Sequence, residues 1–73
     1  MTDITNQPFF IRMKEELDQL RDRKVKLAAF LETDSFEQQP HEIRSAMTAQ
    51  LGAMEAYDFA LTSRIIAISN SAH

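Results

Sequence analysis

The sequence predicts an all-α protein, an antiparallel helical hairpin that assembles into a symmetric homo-oligomer. Three observations predict it. Only one glycine and two prolines occur in 73 residues. Apolar residues recur at alternating steps of three and four in two separate stretches, the mark of an a/d seam. Six large apolar residues, Phe9, Ile11, Val25, Phe30, Phe59 and Ile66, fall off both seams, more than a lone hairpin would leave in water.

The chain reads as one helical domain, 1–73. It divides into an arm (1–8) with room for a short helical turn, a first long helix (9–32), a turn (33–40), a second long helix (41–69) and a frayed tail (70–73). A domain this short buries only about 60% of the surface its unfolded chain exposes. Small folds add disulfides, a metal or a partner chain. There is no cysteine, which excludes disulfides and thiolate metal sites. His41 and His73 have no ligand spacing around them, so no metal and no cofactor is expected. Association is the remaining device, and a symmetric one is the most economical.

The first seam is Phe10, Met13, Leu17, Leu20, Lys24, Leu27 and Leu31. Glu, Lys, Arg and Leu dominate between these positions, all good helix formers. Pro8 suits the first turn, with Asn6 or Gln7 near the cap. Such a helix is ~36 Å long at 1.5 Å per residue. Thr33, Asp34 and Ser35 then break the pattern, and Pro40 suits a new start. The second seam reads Ile43, Met47, Gln50, Met54, Tyr57, Leu61, Arg64 and Ile68, widened by Leu51 and Ile65. So short a connection makes the helices antiparallel neighbours. With the turn centred near Phe36–Glu37, Lys24 is expected to face Gln50 as a register-fixing polar layer, and Phe10 to face Arg64.

Composition limits the function classes. The net charge is −3, which argues against a binder of duplex nucleic acid. No apolar run is long enough to span a membrane, and no basic-then-apolar leader opens the chain. The expectation is therefore a soluble intracellular protein. No nucleophile–base pair, metal-binding helix motif or glycine-rich phosphate loop is present, so no catalytic residue is assigned.

Against that acidic background, Arg21, Arg23, Lys24 and Lys26 put four positive charges into six residues. One step round from the first seam, Phe9, Arg12, Glu16, Gln19, Arg23, Lys26 and Phe30 share a side of the helix. Cations bond phosphate and aromatic planes stack on bases. The same pattern also describes a solvated face, since Glu15, Glu16, Asp18 and Asp22 lie within pairing reach. Two functions fit: a binder of an anionic ligand, or a helical interaction and oligomerisation module that binds no ligand.

The stretches "RMKEELDQLRDRKVKLAAFL", "DSF" and "QLGAMEAYDFALTSRI", in that order and spacing, resemble a family of small bacteriophage proteins, the second family of anti-CBASS proteins. The likeness covers roughly residues 9–66. It rests most on Lys26-Leu27 with Phe30-Leu31, then Gln50, Met54, Tyr57 and Arg64-Ile65. It implies a homohexamer that acts as a sponge in the cytoplasm of the infected bacterium. Such a sponge binds cyclic dinucleotides such as 3′,3′-cGAMP without cleaving them, and family members also hold cyclic trinucleotides in a separate pocket. By position, the resemblance assigns the dinucleotide site to Lys26 and to an aromatic at Phe9 or Phe10, where the family's tyrosine is absent. It assigns the trinucleotide pocket to Arg64. Arg12 and Arg23 join the dinucleotide site from the charged stripe alone.

Overall fold

A computed structural model describes residues 7–71. Residues 1–6 of the expected arm and residues 72–73 of the expected tail lie outside it. Two long helices, α1 (Pro8–Leu31) and α3 (His41–Ser71), pack as a hairpin, joined through a single-turn helix, α2 (Asp34–Glu37).

Local chemistry sets the ends. Gln7 caps α1 with extended backbone, and Pro8 occupies the first turn, where its missing N–H goes unnoticed. Thr33 ends one helix and starts the next. Its hydroxyl donates to the Phe30 carbonyl at 2.6 Å and accepts from the Phe36 N–H at 3.2 Å. The connection read as a plain turn therefore contains a capped helical turn, and it seats the Phe36 ring edge-on to Phe30 at 6.2 Å.

The core is a single layer. Met13, Leu17 and Leu20 of α1 pack on Leu61 of α3, and Met54, Ile65 and Ile68 close around them. Every member of the expected first seam, from Phe10 to Leu31, is buried or half-buried. The second seam needs correction. The covered ladder of α3 is Met47, Leu51, Met54, Asp58, Leu61, Ile65 and Ile68, whereas Ile43, Gln50, Tyr57 and Arg64 are exposed. The register is corrected with it. Lys24 meets Asp58 at 3.1 Å, about two turns further along α3 than the expected Gln50. The carboxylate completes the lone seam cation, which an uncharged glutamine would leave unneutralised.

The hairpin is long and thin, 57 × 15 × 14 Å, with a radius of gyration of 16.4 Å. A compact domain of this length would have a radius near ~11 Å. Much apolar surface is left outside. Phe9, Ile11, Val25, Phe59 and Ile66 are all exposed, Phe59 at 75%, and of the six off-seam residues only Phe30 finds cover within the chain. The outer face of α3 carries a further ladder. Ala46, Ala49, Ala53, Ala56, Ala60, Ser63 and Ala67 follow strict three-four steps and are all exposed. Because this ladder lies roughly a third of a turn round the helix from Leu61, α3 is apolar on two sides, and the hairpin covers one.

Candidate functional site

The cations of residues 21–26 divide between two sides of α1. On one side, Asp58 gathers Arg21 and Lys24. Arg21 Nε donates to Asp58 Oδ2 at 3.1 Å, its Nη2 donates to Asp58 Oδ1 at 3.4 Å and to Thr62 Oγ1 at 3.0 Å, and Lys24 Nζ donates to Asp58 Oδ2 at 3.1 Å. The Thr62 hydroxyl donates in turn to Asp58 Oδ1 at 3.0 Å. Hydrogen bonds from Arg21 first, then Lys24, hold the Asp58 carboxyl down at about 2. The same bond from Asp58 raises the Arg21 guanidinium further above its already high value. This network ties α1 to α3 and consumes its cations internally.

The other side holds the stripe. Phe9, Arg12, Glu16, Gln19, Arg23 and Lys26 are all exposed. Lys26 Nζ lies 2.9 Å from Asp22 one turn back, with its side chain 75% exposed. Such a helical pair is worth only about 0.3–0.5 kcal/mol and yields readily to a stronger anion. Arg12 and Arg23 form no ion pair among the described residues. Phe10 stands apart: it is 3% exposed, with Lys14 Nζ 5.8 Å above its ring. Of the two aromatics considered for stacking, Phe9 is the one that reaches solvent.

Arg64 joins this side from α3. Tyr57 donates its hydroxyl to Glu16 across the hairpin, and that bond, more than any other influence, raises the tyrosine's pKa. Arg64 lies two turns beyond Tyr57 on the same side of α3, close enough for its charge to act on the phenol. Arg12, Glu16, Tyr57 and Arg64 thus share one face. Of the expected site residues, Arg12 lies one turn before Glu16 on α1 and Arg64 two turns beyond Tyr57 on α3, one on each helix joined by the Tyr57–Glu16 bond.

Sequence reasoning missed Asp58 and Thr62 as partners of the cations. The signal was present, because Met54, Asp58, Leu61 and Ile65 make a three-four ladder with a single acid in it. Among the described residues no cluster of His, Asp or Glu could hold a metal ion, and no helix is long and apolar enough to cross a membrane. The arrangement offers cations and planes to an anion, and no group placed to break a bond.

Residues 7–67 match the sequence model of the family described as Sequestin. No curated protein matches the chain. No solved structure matches it either.

Proposed function

The chain belongs to the Sequestin family of phage anti-CBASS sponges, and from that premise we propose that the Phe9–Lys26 face of α1 is where it holds its ligand. Membership implies sequestration of cyclic oligonucleotide signals, which blocks CBASS, and it implies that this is done without catalysis. The proposal concerns the residues, the preferred ligand and the assembly.

One observation carries it. In an acidic protein whose Arg21 and Lys24 are bound internally by Asp58, the face with Arg12, Arg23 and Lys26 keeps its cations exposed beside an exposed phenylalanine. Lys26, Arg12 and Arg23 bond phosphodiester oxygens, and Phe9 covers a base. A cyclic dinucleotide such as 3′,3′-cGAMP has near-twofold symmetry. Two copies of α1 across a dimer axis present paired lysines and paired aromatics to it. Arg64, on the same face, serves a cyclic trinucleotide where three copies converge.

The assembly follows from α3. A helix with a second apolar side beyond the one its hairpin covers has that side free for another chain, and the alanine ladder from Ala46 to Ala67 lets another helix approach closely. A second α3 is the occupant that fits, because its own ladder is equally small along its whole length. Repetition of this contact and of the α1 face builds the homohexamer. Isothermal titration with cyclic di- and trinucleotides, followed by recovery of the ligand, tests the reading. Saturable binding with intact ligand returned supports it. Absence of binding to every cyclic ligand by the folded oligomer rejects it.

A further inference from the structure

At the corner where α2 meets α3, Phe36, His41, Arg44, Ser45, Thr48 and Ala49 line an open cavity of about 520 Å³. We propose that this cavity is a second phosphate-binding position for a nucleotide, distinct from the Lys26 face. The proposal rests on the sponge reading only for the cyclic nature of the ligand. The anion chemistry stands on the corner's own residues.

Five observations converge. Arg44 Nε is buried and has no hydrogen-bond partner among the described residues, although buried polar groups are ordinarily paired. A phosphate accepts from Nε and Nη of one guanidinium side by side, so it would satisfy this donor once the guanidinium turns its Nε edge into the cavity. His41 Nε2 and Ser45 Oγ are hydrogen-bonded to each other at 3.5 Å on the same wall, which uses one hydrogen of the pair and leaves one as a further donor. Thr48 is already committed, donating to the Arg44 carbonyl at 2.9 Å. No carboxylate lines the cavity, in a chain with eleven acidic residues. The corner also sits in the first turns of a 31-residue helix, whose N-terminal end favours negative charge. The Phe36 ring is held edge-on by Phe30, which leaves it placed as a platform for a base.

Nitrogen-15 spectra of the full chain read the guanidinium directly. The chain is titrated with 3′,3′-cGAMP and, in separate arms, with adenosine 5′-monophosphate and inorganic pyrophosphate, following the arginine Nε–Hε resonances. The Arg44 resonance, assigned with Arg44→Lys, should move and saturate in the parent and in Lys26→Ala alike. In Arg44→Gln the same titration, followed at the Ser45 and Thr48 backbone amide resonances, should show an affinity lower by about tenfold or more, the loss of one hydrogen bond to a charged group. Saturation in the cyclic arm alone assigns the corner to the cyclic signal. Saturation in all three arms assigns it to phosphate generally, and both results support the site. A static Arg44 resonance in every arm, or folded Arg44→Gln binding like the parent, overturns it. If Lys26→Ala retains parental affinity while Arg44 still responds, the Lys26 face fails and the corner stands.

Discussion

Lys24 and Asp58 meet at 3.1 Å, Lys24 the lone charge in the covered ladder of α1 and Asp58 the one acid in that of α3. The pair favours this axial register, because sliding α1 by one turn would take Lys24 away from its one carboxylate. Arg21 approaches the same carboxylate from the solvent side at 3.1 Å. One acid therefore uses two of the four clustered cations within the hairpin, and Arg23 and Lys26 stay exposed on the other side of α1, where we propose the ligand is held.

Asp58 should make stability pH-dependent in a defined direction. Its carboxyl sits at about 2 in the folded chain, below the ordinary ~3.9 of an unfolded aspartate. The stabilisation is then complete above pH ~4 and is lost as pH falls towards about 2. Asp58→Asn should melt at a lower temperature than the parent at pH 7, with the gap closing between pH 4 and 2. Thermal melts followed by circular dichroism across that range check it. A gap that stays constant down to pH 2 would show that charge is not the cause.

Leu61 is the most buried residue, 1% exposed, against Met13, Leu17 and Leu20. Leu61→Ala should cost about 2–5 kcal/mol, the range for truncating a buried leucine. Leu51→Ala, only half-buried, should cost less. Urea titrations at matched protein concentration give the ranking. If Leu51 proves the costlier of the two, α3 is rotated relative to the placement described above.

The seams were not equally legible, for a physical reason. In α1 the apolar side chains are large and the remainder charged, so one ladder stood out and its members are the residues covered. In α3 the alanines make three-four ladders at several angles, and periodicity cannot choose among them. Gln50, Tyr57 and Arg64 were read as seam for that reason and are exposed. The exposed stripe of α1 was legible as a stripe. Its link to Arg64 was not, because it passes through the Tyr57–Glu16 bond, which depends on the register. The corner around Arg44 needed α2, and its sequence looked like a turn until Thr33 capped it.

The alanine ladder should govern assembly without affecting the protomer. Ala53→Glu keeps a good helix former at a position exposed in the hairpin. Against a second α3 it buries an unpaired carboxylate, which costs several kcal/mol. Sedimentation equilibrium should show a smaller species with full helicity. Gly52 lies next to the ladder, with open space where a Cβ would go. Gly52→Ala should therefore stabilise by about 0.5–1 kcal/mol and leave the assembly intact. An unchanged oligomer in Ala53→Glu would rule the ladder out as the interface.

The two lysines of the clustered stretch should respond oppositely to substitution. Lys24→Leu removes a charge from the covered ladder and leaves Asp58 with Arg21 as its one cation. With Thr62 still donating to Asp58 beside Arg21, it should change the melting temperature and keep ligand affinity within about tenfold, as seam substitutions do. Lys26 lends nothing to the hairpin beyond an exposed pair with Asp22. A hydrogen bond to a charged group is worth ~1.5–3 kcal/mol. Two symmetric copies on one cyclic dinucleotide make Lys26→Ala cost roughly 3–6 kcal/mol if they add. That is about a hundredfold to ten-thousandfold in affinity, with melting and assembly unchanged. Calorimetric titration with 3′,3′-cGAMP and sedimentation of both variants separate the roles. Parental affinity in Lys26→Ala, with binding abolished in an intact Lys24→Leu assembly, would move the phosphate site to the Asp58 side of α1.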